Sequence, residues 1–198
     1  MAEIKHVDKP FDQLSDDEKR ASKKYFYAYV LDASAPCLNE KKTKYTAVLK
    51  IADNTINPIS SDPSKKKALI IYFFSKRRNA VPLVNEVGSI IRIHRATTQV
   101  HDGKLSLYCD VNNFGSCSIY KLKPESENDK YVPLSYSDSS YQFVKEDKER
   151  LDEIRKITMS NIKSLIQFEL CNTIEDAQKK GFDSDFLALI MKKKGNKG

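Results

Sequence analysis

The stretch GSIIRIHRATTQVHDGKLSLYCDV, residues 88–111, constrains the fold more than any other. Two runs rich in β-branched and apolar residues flank His101-Asp102-Gly103-Lys104, and Asp-Gly supplies the positive φ that a tight hairpin turn demands. An antiparallel hairpin is predicted. After the turn, Leu105, Leu107, Cys109 and Val111 share one parity while Lys104, Ser106, Tyr108 and Asp110 share the other, as in a strand wet on one side. Before the turn, Ile91 and Ile93 point inward by parity but Val100 has the opposite parity. One inserted residue reconciles them, so a β-bulge is expected between His94 and Thr98. Past it, Arg95, Thr97, Gln99 and His101 share the outer face beside Lys104 and Tyr108. Such a basic, aromatic surface suits a polyanion with planar bases.

The flanking sequence supplies further short strands. In YFYAYVLDAS, residues 25–34, Phe26, Ala28 and Val30 alternate with Tyr25, Tyr27 and Tyr29, giving an apolar side and a tyrosine side. KYTAVLKIAD, residues 44–53, turns Leu49 and Ile51 inward and Lys50 outward. ALIIYFF, residues 68–74, is apolar on both parities and is expected to be covered on both faces. SCSIYKL, residues 116–122, offers a closing strand. A series of short strands with turns between them and no long helix fits the five-stranded OB-fold barrel best.

Outside the barrel, residues 1–24 are charged and mixed, and read as a flexible N-terminal arm with at best a short helix capped by Ser15. The OB fold is assigned to residues 25–123, and the serine-rich PESENDKYVPLSYSDSS, residues 124–140, to a linker. Residues 141–198 then turn helical: Leu151, Ile154, Ile157, Ile162 and Leu165 recur at three- to five-residue steps, with Asp147 as N-cap. Thr173 is expected to cap a second short helix, and DFLALIMKKK, residues 185–194, to form one more strand. The fold class is thus mostly β with C-terminal helices.

The formal net charge of +7 favours an acidic partner such as nucleic acid, with a merely solvated basic surface as the alternative. Four dispersed cysteines without a Cys-x-x-Cys pair indicate neither a zinc site nor a disulfide framework. The first residues lack a secretory signal's apolar core, so an intracellular protein without a membrane partner is expected. No Gly-rich phosphate loop, His-Glu-x-x-His or Gly-x-Ser-x-Gly occurs; an enzyme is not expected, nor a cofactor or metal.

The order of segments, together with LKIADNT (49–55), the paired aromatics before NAVPL (79–83) and GSIIRIHRATTQVHDGK (88–104), resembles the protection-of-telomeres family and the ciliate telomere end-binding protein alpha subunits. The 88–104 segment is similar to the family's Gly-Asp-Ile-Ile-Arg-x-His-Arg signature, with Ser89 in place of Asp. FVKEDKERLDEIRK, from Phe143, resembles the family's helical connector, and DFLALIMKKK the first strand of its second OB fold. The resemblance implies a nuclear protein of chromosome ends that binds the G-rich 3′ single strand in an OB-fold groove, caps it and regulates telomere length. A second telomere protein subunit is a further implied partner.

By position, the resemblance gives Asp53 a guanine edge, sets Thr55 beside it, stacks Phe74 on a base and places Arg95 and Lys104 at the groove border. Read from the residues alone, Asp53 is equally a turn cap on Asn54-Thr55, and Phe74 a core residue. Lys50 and Lys76 add cations, and Tyr108 and His101 add rings. Two positions depart from the family pattern: Cys37 and His101 stand where it has aromatic platforms. They motivate the alternative of a protein-interaction module in a telomere or telomerase complex.

Overall fold

The computed structural model describes residues 7–8, 10–14, 24–39, 41–56, 68–101, 104–113, 115–137 and 144–166. The chain divides into two units, 1–159 and 160–198; of the second, only the end of the helix is described. The strands are β1 (Val7–Asp8), β2 (Lys24–Ala33), β3 (Cys37–Leu38), β4 (Tyr45–Ala52), β5 (Leu69–Ser75), β6 (Ile90–His94), β7 (Thr97–His101), β8 (Lys104–Asp110), β9 (Ser116–Tyr120) and β10 (Ser135–Tyr136), followed by α1 (Lys145–Ile166). Ser15, the Asp102-Gly103 turn, Thr173 and the segment 185–194, to which the sequence assigns caps, a hairpin turn and a strand, lie outside the described residues.

Pairing runs β2, β4, β5, β8, β7, antiparallel except for the parallel β5 and β8 pair. The chain itself closes the circuit, because β7 continues back through Ala96 and Arg95 into β6, which pairs with β2. Five long strand paths therefore make the barrel, as expected of an OB fold. The sheet nevertheless has ten strand segments, because one path is split and the short strands β1, β3, β9 and β10 are added at the rims.

The split falls where parity required it. Arg95 has φ of 60°, a left-handed conformation uncommon outside glycine, and the chain there switches partner: His94 faces Ser116 of β9 whereas Thr97 faces Tyr108 of β8. The residues before the bend thus pair with β9, and only β7 and β8 form the tight hairpin, closed by His101 opposite Lys104. A second tight point is Gly115, where a Cβ would lie 2.8 Å from both the Asp110 carbonyl oxygen and Cys109 Sγ. Only glycine fits that approach.

Inside the barrel, registered pairs such as Phe26 with Ile93, Leu49 with Ile71 and Ile71 with Leu107 are all fully buried. The outer surface divides into two halves. On β2, β6 and β9 the outward residues Tyr25, Tyr27, Tyr29, Arg92 and Tyr120 are buried as well. Asp147 of α1 accepts a hydrogen bond from the Tyr27 hydroxyl and lies 3.2 Å from Arg92 Nε. Arg92 Nε also donates to Tyr27 Oη at 2.9 Å, and its guanidinium lies 3.8 Å from the centre of the Tyr25 ring. Burial pushes the Asp147 carboxyl up to about 6, against the pull of the Val144 N–H that it accepts. Leu151 and Ile154, next along the helix, are fully buried.

Three expectations are corrected here. Asp147 is not the N-cap; it sits inside the first turn and reaches back to the Val144 N–H, the return half of a capping box. Within the arm, residues 10–14 are anchored: Phe11 is fully buried, 6.2 Å from Phe26 between ring centres, and its N–H donates to Asp53 Oδ2 at 2.8 Å. The segment read as a linker is structured too. Its β10 pairs with β9, Tyr131 donates to Asp152 of α1 at 2.7 Å, and Arg155 of α1 donates to the carbonyls of Lys121 and Lys130. Charge and serine content disguised both segments, because a few apolar anchors suffice to dock a polar chain.

Removing one member of a buried ion pair strands the other, so Asp147→Ala should cost about 3 to 5 kcal/mol in urea unfolding, and pairing it with Arg92→Met should recover much of that. Phe11→Ala should cost a similar amount, about 3 to 5 kcal/mol, whereas a free arm would show no change.

Candidate nucleic-acid interface

The half of the barrel's outer surface that α1 leaves uncovered is built from β4, β5, β8 and β7. Register fixes which side chains share it, because residues opposite one another on neighbouring strands project to the same face. One row runs Lys50, Ile70, Ser106, Gln99; the next Val48, Tyr72, Tyr108, Thr97; the third Cys37, Thr46, Phe74, Asp110. His101 and Lys104 close the hairpin at the far end.

Three rings form a continuous strip across these rows. Tyr72 and Tyr108 stack with centroids 4.9 Å apart, Phe74 lies 6.1 Å from Tyr108 and 6.5 Å from Tyr72, and all three planes agree within 20°. Each ring is half-buried. Burial raises the pKa of the Tyr108 hydroxyl, with Tyr72 beside it adding to the rise. The apolar outer parity of ALIIYFF is explained by this strip; the rings shelter one another where a covering element had been expected. Phe74 is therefore half-buried on the outer face and not a core residue.

Cations and hydrogen-bonding groups border the rings. Lys76, Arg95, Gln99 and Lys104 are exposed, Lys50 and Thr97 half-buried. Lys44 Nζ pairs with Asp110 Oδ2 at 3.0 Å at the Phe74 end. Burial alone would raise the Asp110 carboxyl, but hydrogen bonds from Lys44 and from the Asn112 N–H outweigh it, and the net shift is downward. Asn112 also accepts the Lys76 N–H at 3.1 Å, which ties the loop after β5 to the loop after β8.

Of the sequence-predicted residues, Lys50, Phe74, Thr97, Gln99, Lys104 and Tyr108 share this face, His101 joins by register, and Lys76 and Arg95 lie at its ends. Asp53 and Thr55 do not join them. Asp53 is buried, and its carboxylate accepts the Phe11 N–H, the Thr55 N–H at 2.9 Å and the Thr55 hydroxyl at 2.7 Å. The turn-cap reading holds: the carboxylate fastens the N-terminal segment to the end of β4. Tyr72 and Thr46 escaped the sequence reading, although Tyr72 has the parity of Phe74, and Thr46 that of Lys50.

The signature residues Arg92 and His94 also lie off this face. Arg92 belongs to the Tyr27 and Asp147 cluster, and His94 stacks on Tyr25 at 4.3 Å. Burial holds the thiols beside them in the protonated form, pushing Cys109 well up and Cys117 up to about 12.

Topology and face together define a class, an OB-fold barrel whose open sheet surface is aromatic with a basic border. Within it, the chain belongs to the family described as telomeric single-stranded DNA binding POT1/CDC13, whose model matches residues 7–165. It is 25% identical over 186 residues to the telomere-binding protein subunit alpha of Stylonychia mytilus, covering 86% of this chain and 37% of that protein. The telomere-binding protein 51 kDa subunit of Euplotes crassus is 28% identical over 184 residues, 84% of this chain and 40% of that one. The chain thus spans well under half the length of these relatives. In fold it is similar to fission yeast Pot1, crystallised with single-stranded DNA, with a TM-score of 0.54 at 15% identity over 75% of this chain and 45% of that chain. A second Pot1 complex with single-stranded DNA gives a TM-score of 0.52 at 16% identity over 70% of this chain and 77% of that chain.

Asp53→Ala should lower stability by about 1 to 3 kcal/mol in thermal or urea unfolding, because it leaves the buried Phe11 N–H without an acceptor. Its affinity for a G-rich oligonucleotide, measured well below the melting temperature, should stay within about 3-fold of wild type. A far larger loss of affinity in a folded variant would restore Asp53 to the site.

Proposed function

We propose that this chain binds single-stranded, G-rich telomeric DNA on the open half of its barrel, without catalysis. The observation that carries the reading is the strip of Tyr72, Phe74 and Tyr108, three rings in nearly parallel planes on a sheet face bordered by lysines and an arginine. Unpaired bases stack on such rings at about 1 to 3 kcal/mol each, while the cations hold the backbone. Membership in a telomeric DNA-binding family supports the same ligand.

On this reading Phe74, Tyr72 and Tyr108 are platforms, and Thr97 and Gln99 offer hydrogen bonds to base edges. Lys50, Lys76, Arg95 and Lys104 meet phosphates, and His101 stacks at the hairpin end. Cys37 lies in the Phe74 row but contributes no ring, so the strip is shorter at that edge than the family's pattern implies. The biological role that follows is capping and length control of chromosome ends in the nucleus. The relatives are named as subunits, which supports a second protein subunit as a partner.

Phe74→Ala should weaken binding of a G-rich oligonucleotide by roughly 5-fold to 150-fold in fluorescence anisotropy. The logarithm of affinity should fall with the logarithm of salt at about 0.7 per phosphate contact, and Arg95→Glu should flatten that slope. Equal affinity for the C-rich complement at fixed salt would defeat the sequence preference, and unchanged affinity in the Phe74 variant would defeat the platform.

A further inference from the structure

Beyond the end of β9, a cleft of about 500 Å³ opens between residues 122–130 and α1. Leu122, Pro124 and Met159 give it an aliphatic surface, and Lys123, Lys130 and Lys156 a cationic rim. We propose that this cleft is a second binding site, one that takes an acidic segment of a partner protein in which carboxylates alternate with aliphatic side chains. The inference does not depend on the DNA reading, since none of these residues shares the open face of the barrel.

The cleft is held in shape before anything binds. Arg155, almost fully buried, donates from Nε to the Lys121 carbonyl at 3.2 Å, from Nη2 to the Lys130 carbonyl, and from Nη1 to Asp152 Oδ1 at 3.2 Å. One side chain thereby fixes the end of β9, the turn before β10 and α1 relative to one another. Preformed walls lower the ordering cost of binding.

Charge selects the occupant. Lys130 is already matched, 3.1 Å from Asp152. Lys123 and Lys156 are exposed and make no ion pair among the described residues, so two cations without a carboxylate partner stand beside the exposed Met159 and the half-buried Pro124. Met159 is 42% exposed, a large apolar side chain at the cleft rather than in the core, and methionine adapts its shape to varied aliphatic partners. A nucleic acid fits less well, because none of the described residues that line the cleft carries a ring for a base to stack on.

The test uses the full chain and a fluorescein-labelled 12-residue peptide alternating Glu and Leu, read by anisotropy at two salt concentrations. Saturable binding that weakens with salt is expected. The double change Lys123→Glu with Lys156→Glu should weaken it by about 10-fold or more, about 1.4 kcal/mol, and Met159→Asp should weaken it comparably. Affinity for a G-rich oligonucleotide should change less than about 3-fold in the same variants. The proposal is overturned if the peptide does not bind, if a Lys and Leu peptide binds equally well, or if charge reversal leaves peptide affinity unchanged. It is also overturned if the double change lowers oligonucleotide affinity as much as Phe74→Ala does, which would assign the cleft to nucleic acid.

Discussion

The buried contact of Tyr27, Arg92 and Asp147 decides which part of the barrel is available for binding. A small barrel buries its inward parity by itself, but β2 also carries three outward tyrosines, and β6 an outward arginine, that need a cover. A helix about 10 Å wide shields only part of a barrel's circumference. By accepting the Tyr27 hydroxyl and pairing with Arg92, Asp147 commits α1 to the side of β2, β6 and β9. The remaining side, β4, β5, β8 and β7, is not covered by α1 and carries the rings. Because the pair is desolvated, a lost partner is expensive, and so the helix is fixed in place rather than merely resting there.

The bend at Arg95 joins the two halves. One chain segment passes from the covered side as β6 to the open side as β7, and a left-handed residue makes that change of partner in two residues. Strain of this kind persists only where the surroundings hold it, and here Arg92 and His94 are locked on one side while the hairpin to β8 is formed on the other. Arg92 and His94 of the signature therefore belong to the covered side of the barrel, off the face that carries the rings.

Much of this was legible in the sequence because it rests on parity. The pairing of β7 with β8, the break after His94 and the shared outer face of Lys104, Tyr108, Thr97 and Gln99 all follow from alternation and turn chemistry within short segments. What parity cannot supply is the partner strand. ALIIYFF looked doubly covered because its rings are apolar, and only the register of Tyr72 opposite Tyr108 reveals that they shelter one another. Asp53 shows the same limit in reverse. Its neighbours Asn54 and Thr55 suggest a turn cap and the family resemblance a base contact, but neither announces the Phe11 N–H, 42 residues away in sequence, that the carboxylate accepts. Phe11 itself sits among charged residues, with no periodicity to announce that it is an anchor.

The central claim is that unpaired bases lie against the ring strip on the open half of the barrel. Photo-cross-linking of a G-rich telomeric oligonucleotide carrying 5-iododeoxyuridine, with the adducts mapped by mass spectrometry, tests it most directly. The account predicts adducts concentrated at Tyr72, Phe74 and Tyr108. Adducts confined to α1 or to the β9 and β10 side, with those three rings unmodified, would contradict it.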